Sequence, residues 1–152
     1  MGRIVNTDNP GKRRNALMRS SAELMRHLML QTAITDQTKD MLAQLVFCLR
    51  EIDEGIDESA KAWEKRDYWM KAEEFRSNWQ WAGSAADDLA RLVHEGQWVF
   101  LPPLLVRLMP KFADINITKF TRDESPVSYT HLDVYKRQPL RRLWLCRPLW
   151  LN

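Results

Sequence analysis

Residues 36–96 read DQTKDMLAQLVFCLREIDEGIDESAKAWEKRDYWMKAEEFRSNWQWAGSAADDLARLVHEG, and the spacing of their apolar residues decides the fold. Leu42, Leu45, Leu49, Ile52, Ile56, Ala60 and Trp63 form one series; Ala72, Phe75, Trp79, Ala82, Ala86, Leu89 and Val93 form a second. The steps are mostly three and four in alternation, which lays each series along one face of a helix and matches the seam of bundles and coiled coils. Lys65-Arg66-Asp67 lies between them. Two cations suit the carbonyl end of a finishing helix, and Asp67 suits the N-cap of the next. A link this short makes the two long helices antiparallel neighbours. Folding back near Arg66 brings Trp63 near Ala72 and sets Ala82 and Ala86 near Phe47, Leu49 and Ile52. Large residues then meet small ones, as close packing requires. Gly83-Ser84 followed by Asp87 offers a rival reading, a helix stop and a new capping box. The apolar phase crosses Gly83 without a slip, which favours one continuous or slightly kinked helix, with Gly costing about 1 kcal/mol against Ala.

Working outward, residues 1–11 read as an extended arm closed by the Asn9-Pro10 turn. A first helix is expected over about 12–31. Its stripe is Leu17, Ser21, Leu24 and Leu28, with Met18, Ala22, Met25 and Met29 alongside, an apolar face wide enough to lie on the hairpin. Thr35 or Asp36 caps the next helix. On the other side, His94-Glu95-Gly96 is a helix ending. Pro102-Pro103 opens a short fourth helix, about 102–112, that Pro110 limits or kinks. Ile115, Ile117, Lys119 and Phe120 alternate like a short extended segment. The expected fold is all-α: an antiparallel helical hairpin, about 36–66 and 67–95, packed with an N-terminal helix and a short fourth helix, in a single domain over 12–125.

The chain has 152 residues, 45% hydrophobic and 28% charged, which fits one globular core. No apolar run approaches the roughly 20 residues that span a bilayer, so no membrane is expected. Met1 to Arg14 lacks a signal peptide's apolar centre. Cys48 and Cys146 show neither metal spacing nor a disulfide framework, and the default location is the cytoplasm. The net charge of +3 belongs to the tail. Residues 126–152 hold Lys136, Arg137, Arg141, Arg142 and Arg147 against Asp133, net +4. Removing them from the totals of 23 basic and 20 acidic residues leaves 18 and 19, net −1. The basic balance is therefore no argument for nucleic acid.

That tail carries a resemblance. Residues 126–138, Pro-Val-Ser-Tyr-Thr-His-Leu-Asp-Val-Tyr-Lys-Arg-Gln, admit a codon choice that is its own reverse complement from CTGTCTC to GAGACAG. The run resembles a translated transposon mosaic end joined to its inverse, as used in preparing sequencing libraries. The resemblance implies environmental sequence data, an artefactual tail over 126–152 with foreign or out-of-frame residues after 138, and a native C-terminus lost after about Glu124. Residues 1–125 resemble small helical bacterial proteins. Scars of this kind are set aside in fold reasoning.

Two surfaces compete for function. Lys12-Arg13-Arg14, with Arg3 upstream, puts cations at a helix start, where free N–H groups and the helix dipole favour anions. A phosphate backbone would fit. The plainer reading is a solvated basic end, or one paired to the acidic run Glu51-Asp53-Glu54-Asp57-Glu58. Gly11-Lys12 lacks the rest of a phosphate-binding loop. The second surface is aromatic. Tyr68 and Trp69 sit at the hairpin corner and Trp81 lies off the stripe, so any of them could anchor a partner; packing against the first or fourth helix is the alternative for the tryptophans. Glu51, Glu54, Asp57 and Glu58 fall on the outer helix face, and the paired Glu-x-x-His pattern of a di-iron bundle is missing, so neither metal nor cofactor is expected. Cys48 lies between Phe47 and Leu49 and predicts an inert buried thiol. His27 and His94 neighbour no nucleophile pattern. The expectation is a non-catalytic protein-interaction or regulatory module, with a protein partner or self-association. Nucleic-acid binding through the N-terminal arm is the alternative.

Overall fold

Asn9 caps the first helix, which begins at Pro10, two residues ahead of the expected start. Its side-chain Oδ1 accepts hydrogen bonds from the N–H groups of Gly11 (2.9 Å) and Lys12 (3.4 Å). Pro10 takes the first helical position, where its fixed φ helps and its missing N–H costs nothing. The computed structural model describes residues 9–116. The arm with Arg3, the residues Ile117, Lys119 and Phe120, and the tail at 126–152 lie outside the described residues.

Four helices follow in order: α1 (Pro10–Leu30), α2 (Asp36–Glu64), α3 (Trp69–Glu95) and α4 (Leu101–Leu108). No strand occurs among the described residues. Thr35 caps α2 in a reciprocal box with Thr38, which satisfies two donors at the helix start. The helix α3 runs unbroken through Gly83 and ends on Gly96 at φ +65°, a left-handed position that glycine fills without steric cost. A 3-10 turn (Trp98–Phe100) leads into α4, whose first turn holds Pro102 and Pro103, and a second 3-10 turn (Met109–Phe112) closes it.

The helix α2 is the centre of the bundle, with α1 and α3 packed on it and α4 against α3 and α1. Its stripe is buried from Leu42 to Ala60, and Trp63 is half-buried. Leu42, Leu45, Leu49, Ile52 and Leu89 are essentially inaccessible, each contributing about 1.5–3 kcal/mol of burial. Facing them, α3 offers Ala72, Ala82, Ala85 and Ala86, all buried, so the two axes come close. At Gly83 the approach is closer still: a Cβ there would lie 3.0 Å from the Asp53 carboxyl group. That contact explains a glycine inside a helix, which propensity disfavours. Cross-helix pairs mark the register, Arg50 with Asp87 at 3.6 Å and Arg76 with Asp57 at 3.4 Å. The helix α1 buries Ser21, Ala22, Leu24, Met25 and Leu28. The Ser21 hydroxyl donates to the Leu17 carbonyl at 2.8 Å, so it is satisfied inside the core. Leu101, Leu105, Leu108 and Phe112 close the remaining side.

The link between α2 and α3 corrects one expectation. Asp67 is not an N-cap: it adopts φ 64°, and Tyr68 precedes α3 with no side-chain cap. The Tyr68 N–H donates to the Trp63 carbonyl (3.1 Å) and the Asp67 N–H to the Glu64 carbonyl (3.0 Å). This nested pair is the Schellman closure of α2, and it requires a left-handed residue where Asp67 sits. Aspartate tolerates that conformation better than most residues do. The backbone reversal, not capping, sets the role of Asp67.

Candidate functional site

The basic cluster at the start of α1 is largely committed within the chain. The N–H groups of Gly11 and Lys12 donate to the Asn9 side chain, and the Arg13 N–H donates to the Asn9 carbonyl at 3.1 Å. The donors that would cradle an anion are therefore partnered. The Arg13 guanidinium donates to Glu58 at 3.1 Å, the pairing to the acidic run weighed from sequence. Arg14 is not a solvated cation: its guanidinium lies over the rings of Phe75 and Trp79, at 5.0 and 5.3 Å from their centroids. Burial there lowers its pKa below the usual guanidinium value. Among the described residues, Lys12 is the member of the trio left exposed with no ion pair.

Arg14 covers part of an aromatic row along the side of the hairpin. Trp63 and Phe75 are 4.8 Å apart, Phe75 and Trp79 6.5 Å, Trp79 and Trp81 6.0 Å, and Trp81 and Phe112 5.7 Å between ring centroids. Trp81 is thus not a free anchor. It stacks on Trp79, meets the edge of Phe112, and carries Lys111 over its ring at 5.6 Å. The 3-10 turn after α4 covers it, because α4 folds back over α3 and α1; sequence spacing alone could not place that turn.

Tyr68 and Trp69 are different. They stand 54% and 61% exposed at the hairpin tip, joined by Met70 at 88%. The inward position of this helix turn belongs to Ala72, which is fully buried; Met70 lies on the opposite side of the helix, while Trp69, three residues before Ala72, stands at the edge of the packed face and is still largely exposed. Lys71 lies over the Tyr68 ring at 5.4 Å. Lys65, Arg66 and Asp67 are exposed in the turn before this knob, and Glu73 and Glu74 are exposed one helical turn beyond it. Among the described residues Lys65, Arg66, Glu73 and Glu74 form no ion pair. Met70 was missed in the sequence because nothing in its own spacing separates an exposed methionine from a packed one.

The acidic run is not a plain solvated face. Asp57 pairs with Lys61 at 2.6 Å and with Arg76, which also holds Glu64. Hydrogen bonds from Lys61 and then Arg76 keep the Asp57 carboxyl below its ordinary pKa, and Arg76 does the same for Glu64. Asp53 moves the other way. Burial raises its pKa, and Asp87, Asp57 and Glu54 add like-charge repulsion. Among the described residues no three metal-ligating side chains cluster, and no helix is long and apolar enough to cross a membrane. Cys48 is buried.

A second apolar surface, also missed, lies at the far end. Val99, Phe100, Val106 and Met109 are exposed on and around α4. Met109 and Met29 line a shallow cleft of about 250 Å³ with Met25, Ala22, Phe112 and Arg26. The Arg26 guanidinium is held by the Ile115 carbonyl at 2.9 Å, so the cleft has an apolar floor and one fixed polar edge. The chain matches no protein-family model, no curated protein sequence and no solved structure.

Proposed function

We propose that this chain is a non-catalytic protein-interaction module and that the hairpin tip is its contact surface. One observation carries the reading: Tyr68, Trp69 and Met70 form a contiguous apolar knob, each more than half exposed, on a hairpin whose stripe residues are buried or half-buried. Tryptophan and tyrosine are prominent among the residues that dominate binding energy at interfaces, and methionine, also enriched there, adapts to uneven partner surfaces. The contacts of Arg13 and Arg14 support an intramolecular role for that part of the basic cluster, while the arm with Arg3, on which the nucleic-acid alternative also rests, lies outside the described residues.

The test is to pan a random peptide library over the immobilised full chain, with the Trp69→Ala/Met70→Ser variant as the counter-target. The expected result is a set of peptides that bind the wild type at least tenfold tighter than the variant. The variant should keep the wild-type helical circular dichroism. Recovery of no sequence that distinguishes the two would overturn the tip as a contact surface.

A further inference from the structure

We infer that the partner of the hairpin tip is a second copy of the same chain, docked tip to tip about a twofold axis with the two α3 N-terminal turns antiparallel; this rests on the tip being the contact surface. The charges around the knob carry the argument. From the link into α3 the order is cationic turn (Lys65, Arg66), apolar knob (Tyr68, Trp69, Met70), then carboxylates (Glu73, Glu74). Glu73 is four residues from Trp69 and three from Met70, and Glu74 is four from Met70, so the carboxylates share the outward side of the helix with the knob. Such a basic–apolar–acidic sequence is complementary to itself when reversed. In an isologous contact, residue i of one copy meets residue j of the other and the reverse pair forms by symmetry. Lys65 and Arg66 of each copy then face Glu73 and Glu74 of the other, with the knobs between them.

The pattern of pairing elsewhere sharpens this. On the flanks of the same hairpin, charges are used inside the molecule: Arg13 with Glu58, Lys61 with Asp57, and Arg76 with Asp57 and Glu64. At the tip, among the described residues, Lys65, Arg66, Glu73 and Glu74 have no ion pair. Asp67 sits among the cations and reduces their excess, while Lys71, over Tyr68, adds to it. Flanking charges of this kind fix register and exclude wrong partners more than they add affinity. A tip of three anchors lies at the low end of interface sizes, where weak and transient associations are found.

Sedimentation velocity on the full chain, from about 5 μM to 1 mM, decides it, with the basic tail identical in every protein compared. Wild type is expected to shift from monomer to dimer across this range, and Trp69→Ala/Met70→Ser to weaken dimerisation by at least tenfold. Lys65→Glu/Arg66→Glu leaves Lys71 as the one cation of an otherwise acidic tip, and Glu73→Lys/Glu74→Lys leaves Asp67 as the one carboxylate of an otherwise basic tip. Each should be monomeric alone, and a one-to-one mixture should dimerise again, because both contacts of the twofold become attractive. That rescue cannot come from a variant that failed to fold. A wild type that stays monomeric to 1 mM overturns the inference; if tip-dependent peptides are still recovered by panning, the contact surface survives with a different partner. Dimers that persist in the tip variants, or reversed-charge variants that do not restore each other, place the contact elsewhere and overturn it as well.

Discussion

The middle of the hairpin and its tip are built from the same two helices and obey opposite rules. At the level of Leu49 and Ile52, large residues on α2 are buried against alanines of α3, and Arg50 reaches across to Asp87. At the tip, Tyr68, Trp69 and Met70 are exposed, and the charges of Lys65, Arg66, Glu73 and Glu74 are not paired among the described residues. The difference teaches where stability and recognition reside. A stripe with steps of three and four keeps one face on a neighbour for as long as a neighbour exists. Where the chain reverses, consecutive residues splay by about 100° each and cannot all find cover. Small polar residues would be the undemanding choice for such a turn. Three large apolar ones expose surface that solubility disfavours, which points to a use outside the monomer.

The largest expected effect separates the two regions by stability. Leu49→Ala or Ile52→Ala should cost about 2–5 kcal/mol in urea denaturation, as buried large-to-small changes do. Trp69→Ala or Met70→Ala should stay within about 0.5 kcal/mol, as at ordinary surface sites. Comparable losses at both places would show that the tip is part of the core and would break the comparison. A smaller effect concerns the backbone at the reversal. Asp67→Gly relieves a left-handed non-glycine residue and should raise stability by about 0.5–1 kcal/mol in the same assay. A loss would mean that the Asp67 carboxylate does more in the turn than its backbone geometry indicates.

The smallest effect lies in the middle and depends on pH. The folded pKa of Asp53 is raised, by burial first and then by neighbouring carboxylates. The native state therefore holds this proton more tightly than the unfolded chain does. Stability associated with it is present below the unfolded carboxylate pKa, about 3.9, and is lost as pH rises through the folded value. Asp53→Asn removes that loss. It should raise the thermal midpoint at pH 7 and give no such gain at pH 3, in melts compared at the two values. An equal gain at both would assign the effect to packing beside Gly83 and not to charge.

Much of this was legible before any coordinates. The two stripes, the antiparallel return near Arg66, the unbroken passage through Gly83, the stop at Gly96 and the helix opened by Pro102-Pro103 all follow from periodicity and local backbone chemistry. These are signals carried by residues three and four apart, or by single residues with restricted φ. The alanine series on α3 also announced the close approach to α2 that Gly83 makes tighter against Asp53. The sequence alone therefore determined the fold class, the four helices and the faces on which they pack.

Tertiary structure decided the assignment of individual side chains to core or surface at the margins. Trp69 and Trp81 look alike in the sequence, two aromatics near the edge of one helix. Trp81 is covered because α4 folds back and brings Phe112 and Lys111 to it, while nothing among the described residues folds over Trp69. Arg14 reads as a surface cation until α1 settles on α2 at the height that lays its guanidinium over Phe75 and Trp79. Asp67 reads as a cap until the nested hydrogen bonds of the α2 terminus require its left-handed backbone. In each case the deciding partner lies in another element or depends on the exact closure of a turn. Helical periodicity specifies which direction a residue faces along its own axis, and only the packing of the elements specifies what it meets there.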